Sequence, residues 1–187
     1  MRRITSIYLA GPDASFPDAA ALAAEKRALC ETAGFVPVLS GDGFLVETEP
    51  SEAMAREIYA DRVSRMRLTD AGIVNLTPFR GPSCDAGAAF EAGFLAALGK
   101  PVFAYMNVAT EVEADPRERI EALIGAHLGE DGVWRDGDDC EIEDFGLPEN
   151  LMLWAEARRL YVIITPDVQG DLTGLQLCLE AIKMYSD

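Results

Sequence analysis

Glu91 stands inside AGAAFEAGFLAAL, residues 86–98, where every other residue is alanine, glycine, phenylalanine or leucine. A helix that is apolar on all faces is expected to be buried. A carboxylate inside it loses its water, and glutamate is rarely buried without a partner. Glu91 is therefore either a structural acid, paired with an arginine or a tyrosine hydroxyl, or a nucleophile or general base. Asp85 lies six residues earlier, where an N-cap would stand, so both acids fall in the first two turns near the positive end of the helix dipole. By itself Asp85 reads as a plain cap; as a pair the two acids read as chemistry. Gly87 and Gly93 weaken the helix and fit a place where something approaches the backbone closely. Tyr8 ends an apolar run and is either core or the hydroxyl that orients Glu91. Phe16 is either a hydrophobic anchor or a ring for a ligand to stack on, while Arg80 and Ser83 in FRGPS read as turn-shaping residues.

Other chemistries are excluded by what the chain lacks. The first loop, GPDASFPDA, has one glycine and two prolines, so it is no dinucleotide fingerprint, and there is no P-loop. Cys30, Cys84, Cys140 and Cys178 are far apart without metal-site spacing, and His127 is the one histidine. No metal and no cofactor are expected, and the cysteines read as reduced thiols of a cytoplasmic protein. Acids outnumber bases 32 to 16, a net charge of −16, which repels phosphate backbones and anionic lipid. No apolar run reaches the ~18 residues of a membrane span. The apolar stretch of MRRITSIYLAG breaks at Gly11-Pro12, too early for a signal peptide.

These residues need elements to hold them. Short apolar strands are expected at 4–9, 35–39, 71–76, 101–105 and 161–164. Helices are expected at 18–33, closed by Gly34, at 51–68 with Ser51 as N-cap, at 86–98 closed by Gly99, at 111–126 on the surface, at 150–159 and at 172–185. Residues 129–147 are acidic and glycine-rich and read as a loop or flap. Strand–helix alternation with unbroken apolar strands implies one α/β domain over residues 1–187, a doubly wound five-stranded parallel sheet with helices on both faces. Ligands of such sheets sit beyond the carboxyl ends of the strands, which selects residues 10–18, 39–52 and 77–85.

Three segments, IYLAGPD, DAGIVNLTPFRGPSCDAGAAFEAGFLAALGKPVFAY and DFGLPENLML, resemble the motifs of the nucleoside 2-deoxyribosyltransferase family, in that family's order. The resemblance implies a flavodoxin-like fold and a homo-oligomer whose neighbours complete each active site. It implies that Glu91 is the nucleophile, that Asp85 serves sugar and base, and that Tyr8 holds the nucleophile. It places Asn150 and Met152 in an adjacent subunit's pocket, while Gly11 and Phe16 of the first loop are candidate substrate contacts from their position. Where the family usually presents Asn or Asp on the helix before the third strand, this chain has Arg62; Asp61 is its neighbour and the candidate base contact, about 100° away around the helix. The implied partners are a 2-deoxynucleoside and a free nucleobase, in nucleotide salvage. A carboxylate beneath the anomeric carbon suits an oxocarbenium-like transition state, which it stabilises or traps covalently. Hydrolysis of nucleoside 5′-monophosphates and non-catalytic nucleotide sensing are the alternatives.

Overall fold

The computed structural model describes residues 3–42 and 49–186, so residues 43–48 of the second ligand-side segment lie outside the described residues. In chain order the elements are β1 (Ser6–Ala10), α1 (Ala19–Thr32), β2 (Val36–Leu39), α2 (Glu52–Leu68), β3 (Ala71–Asn75), α3 (Ala86–Ala97), β4 (Val102–Val108), α4 (Pro116–Ile124), β5 (Ala126–Leu128), β6 (Trp134–Asp136), α5 (Leu151–Glu156), β7 (Leu160–Ile164) and α6 (Thr173–Ser186). Short 3₁₀ turns at Pro12–Ser15 and Val112–Ala114 complete them.

The main sheet is parallel throughout, in the order β2-β1-β3-β4-β7. That is the flavodoxin-like order, with its topological switch between β1 and β3. Two apolar layers flank the sheet. Ile7, Leu9, Ile73 and Phe103 meet Cys30 of α1 and Leu175, Leu179 and Ile182 of α6. Tyr8, Ala10, Val74 and Ala104 meet Met66 of α2, Ala88, Ala92 and Leu95 of α3, and Leu153 of α5. The period of two along β1 thus decides which face receives Tyr8.

Polar contacts fix the ends of these elements. Ser51 Oγ accepts from the Met54 amide at 3.2 Å, capping α2 as its sequence implies. At the other end, Lys100 Nζ donates to the Met66 carbonyl at 2.6 Å, to that of Arg67 at 2.7 Å and to that of Thr69, so one ammonium satisfies the carbonyls that close α2.

The helix expected over 150–159 is shorter, Leu151–Glu156, and the structure departs from the sequence expectations in three further places. The helix expected over 111–126 is shorter, Pro116–Ile124, because Asp115 caps it and Gly125 (φ 81°) ends it. The segment 129–147 is no plain loop. Trp134–Asp136 pairs antiparallel with Ala126–Leu128 across a turn in which Asp131 accepts from the Val133 amide, and a bridge joins Arg135 to Glu141. Strands of three mixed residues carry no alternation to read. Finally, α3 is not covered all round: Phe90 is 48% exposed, and its ring lies 6.0 Å from that of Tyr59 and 5.9 Å from that of Phe94.

The amino ends of β1 and β3 are stitched by Asp70. Its Oδ2 accepts from the amides of Thr5 and Ser6, both at 3.0 Å, and from their hydroxyls at 2.8 and 3.0 Å. Burial alone would raise this carboxyl, but the four bonds outweigh it and bring it down to about 2. The folded value lies below the ordinary 3.8, so the contribution to stability is complete above about 4 and lost as pH falls through 2. Asp70→Asn is expected to lose about 1–2 kcal/mol at pH 7, allowing for partial exposure, and less as pH drops from 4 to 2. Urea midpoints across that range check both the size and the direction.

Candidate active site

Tyr8 is fully buried on β1 and points at α3. Glu91 shares the inward face of α3 with Ala88, Ala92 and Leu95 and is 4% exposed. The Tyr8 hydroxyl donates to Glu91 Oε1 at 2.8 Å. Arg62 reaches in from α2, with Nη1 3.7 Å from the same Oε1, while its Nε donates to the Ser40 carbonyl at 3.1 Å. Burial pushes the Glu91 carboxyl up; the Tyr8 hydrogen bond and the Arg62 charge pull it down, and Asp85 pushes it up again. It ends above its ordinary 4.5. Burial and the Glu91 charge also push the Tyr8 hydroxyl upward, so it keeps its proton and stays a donor.

Asp85 caps α3, its Oδ2 accepting from the Ala88 amide at 3.0 Å. The reason for Gly87 is then local: a Cβ there would come within 2.8 Å of Asp85 Oδ2. Gly93, by contrast, faces open space and lines an apolar cavity of about 290 Å³ between α3 and α5. Ahead of Asp85 the chain makes a tight turn, with the Phe79 amide donating to the Ser83 carbonyl at 3.0 Å and Arg80 at φ 56°. This is the shaping role expected of Arg80 and Ser83.

Two buried cations hold the loops of the site, and sequence inspection passes over both. Lys26, on the inward face of α1, pairs with Asp13, whose other oxygen accepts from Asn75 Nδ2 at 3.1 Å. Gly11 lies where this loop crosses the end of β3: a Cβ there would stand 2.8 Å from Asn75 Cβ. The spacing Leu22-Lys26-Cys30 is the available signal, because it puts a lysine in the middle of a buried stripe. Arg119, buried on α4, donates to the carbonyls of Pro82 at 2.6 Å, Glu113 at 2.7 Å and Pro148 at 3.0 Å, and lies 3.7 Å from buried Glu149. It ties the turn before Asp85 to the segment before Asn150. Nothing in the pattern of α4 announces it.

A cavity of about 380 Å³ opens at the carboxyl ends of β1 and β2, lined by Leu9, Asp13, Lys26, Ser40, Asp42 and Arg62 among others. Glu91 does not line it; Arg62 stands between them. Tyr8, Glu91 and Asp85 are brought together as the sequence implies. Phe16 is not at that cavity: it is buried with its ring 6.0 Å from Phe79. Asp61 is held by Arg65 at 2.6 Å. Asn150 caps α5, accepting from the Met152 amide at 3.0 Å, and donates to Glu143 at 3.2 Å. Met152 is 71% exposed. Neither Asn150 nor Met152 hydrogen-bonds to Tyr8, Arg62 or Glu91 of its own chain.

Among the described residues there is no group of three or more His, Cys, Asp or Glu placed to hold a metal, and no helix long and apolar enough to cross a membrane. What the geometry offers is one buried carboxylate aligned by a phenol and a guanidinium, at the switch point of an open sheet.

The sequence profile of the nucleoside 2-deoxyribosyltransferase family matches residues 7–152. This chain belongs to that family. Its likeness to a 2-desoxiribosyltransferase from Leishmania mexicana is 28% identity with a TM-score of 0.63, over 94% of this chain and 97% of the other. An uncharacterized protein of Schizosaccharomyces pombe is 29% identical over 159 residues, 80% of this chain and 75% of that one. A conserved protein from Enterococcus faecalis V583 shares the fold, at 20% identity and a TM-score of 0.51, over 97% of this chain and 99% of the other. Membership places it among enzymes of the nucleoside deoxyribosyltransferase type.

Burial sets a testable cost on Glu91. Below pH 4.5 the carboxyl is neutral folded and unfolded, so it costs nothing; the cost appears as pH rises through the raised folded value. Glu91→Gln keeps the Tyr8 donor paired and removes the buried charge. It is expected to be more stable than the parent by about 1 kcal/mol at pH 8 and nearly equal at pH 4. Thermal midpoints compared across that range test it, and a variant less stable at pH 8 would mean that the Arg62 and Tyr8 contacts outweigh burial.

Proposed function

We propose that this protein transfers 2-deoxyribose between nucleobases, with Glu91 as the nucleophile. The observation that carries this is the 2.8 Å hydrogen bond from Tyr8 to the buried Glu91 carboxylate. That bond fixes one oxygen and leaves the other to approach C1′ of the sugar. In the first half-reaction a Glu91 oxygen bonds to C1′ as the C1′–N bond breaks. The departing base keeps the electron pair and takes a proton from Asp85 or a water that Asp85 holds. In the second, a ring nitrogen of another base attacks C1′, the ester C–O bond breaks, and the incoming base returns a proton. Two inversions give net retention. A 2-deoxy sugar suits this route because no 2-hydroxyl withdraws electrons from the developing cation. Gly11 and Phe16 shape the first loop beside the substrate, and Asp61 steadies α2 next to Arg62.

Asn150 and Met152 serve a neighbouring subunit's pocket in this proposal, within a homo-oligomer. Two features support it. Met152 projects at 71% exposure from a helix capped by Asn150, and α3 presents Phe90 beside Tyr59, both exposed. A two-fold axis would then build two equivalent sites per interface.

Deoxyinosine or deoxyuridine incubated with and without guanine or thymine tests the chemistry. Transfer gives the new deoxynucleoside only with acceptor present, and rapid quenching without acceptor leaves one deoxyribosyl mass on the peptide containing Glu91. Glu91→Ala is expected to lose at least a hundredfold in kcat/KM. Release of free sugar at a rate indifferent to acceptor would mean hydrolysis, and no product from either donor would remove the transfer proposal.

Mixing tests the shared site. Glu91→Ala and Asn150→Ala chains, each folded and inactive, are expected to regain part of the activity after subunit exchange. Hybrids confirmed by native mass spectrometry that stay as inactive as both parents would sink it.

A further inference from the structure

Arg62 is the cation that meets a ligand entering the 380 Å³ cavity. It lines the cavity with a side chain 35% exposed, while Lys26, the other lining cation, is buried against Asp13. Its orientation is fixed on two sides, by the Ser40 carbonyl at Nε and by Glu91 at Nη1, and among the described residues no partner engages Nη2. A guanidinium carries donors only. Whatever group of the ligand faces it must therefore offer acceptors.

A phosphate is a poor match for this position. Asp13 and Asp42 line the cavity too, already paired with Lys26 and Arg27, so a dianion would face both carboxylates with Arg62, itself shared with Glu91, as its available cation. An uncharged nucleobase fits better, and bases differ on this point. A purine with an exocyclic oxygen presents that oxygen and N7 side by side, two acceptors on one edge. Its 6-amino counterpart puts a donor beside N7, which leaves an arginine hydrogen facing an amino hydrogen. Carbonyl-bearing and amino-bearing pyrimidines differ in the same sense.

We infer that Arg62 makes this site select oxo-bearing nucleobases over their amino counterparts. The inference rests on the transfer reaction proposed above and names its substrate class. The same residue aids the chemistry. When the C1′–N bond breaks, the electron pair left on the ring nitrogen spreads to the exocyclic oxygen, which faces the Arg62 charge until the proton arrives. An amino base cannot place that charge there.

Competition between acceptors reads the selection directly. Full-length protein, deoxyguanosine as donor, and equimolar hypoxanthine and adenine are expected to give deoxyinosine over deoxyadenosine by at least tenfold, the scale of one bidentate contact. Arg62→Gln, which offers a donor and an acceptor, is expected to cut that ratio at least tenfold. Arg62→Met should abolish the preference, and Arg62→Lys, still donor-only, should keep part of it. A parent ratio within threefold of unity overturns the inference, as does a ratio unchanged in folded Arg62→Gln and Arg62→Met. If no donor is turned over, the transfer proposal fails by itself. Calorimetric binding of deoxyinosine and deoxyadenosine then decides the selection: tenfold tighter deoxyinosine, lost in the variants, supports it, and equal affinities overturn it.

Discussion

A carboxylate at 4% exposure costs free energy that one hydrogen bond and one ion pair recover only in part. Much of the structure around Glu91 follows from placing that group where water does not reach. Tyr8 must stay protonated, and its own burial ensures this. Arg62 must lie close enough to balance the charge yet remain partly open to the cavity, and the Ser40 carbonyl holds it there. The carboxyl is left above its ordinary value, in a state where forming a neutral ester relieves a cost instead of incurring one.

The loops that surround this carboxylate are held by more than their own backbone bonds. Lys26 and Arg119 hold them, and both are buried cations whose partners belong to distant segments. Lys26 fixes Asp13, and through it Asn75, across the switch between β1 and β3. Arg119 donates to three carbonyls that no helix or strand would otherwise satisfy, joining the approach to Asp85 with the approach to Asn150. If Asn150 serves another subunit, this one guanidinium touches the loops of two sites.

Charge and apolar surface are arranged with similar economy. The net charge of −16 lies mostly on exposed acids, while the cavity itself carries Asp13 and Asp42 against Lys26 and Arg62. Phe90, exposed beside Tyr59, stands on the outer side of the helix whose inner side holds Glu91. A neighbour seated there would press on the active-site helix directly.

Local pattern determined much of this protein. Alternation of apolar strands with capped helices set the parallel sheet, and Ser51 and Asp85 marked helix starts because their side chains bond amides three residues on. An acid alone in an apolar helix marked Glu91, since burial without purpose is costly whatever the fold. Tertiary structure decided the rest. Whether Tyr8 faces α3 or α6 depends on strand register, and a shift of one residue would have buried its hydroxyl on the other side of the sheet. Arg119 and Lys26 matter through carbonyls and a carboxylate far along the chain, which no spacing encodes. Asp61 and Arg62 are adjacent, yet a turn of about 100° gives one to Arg65 and the other to Glu91. Only the packing of α2 on the sheet could choose between them.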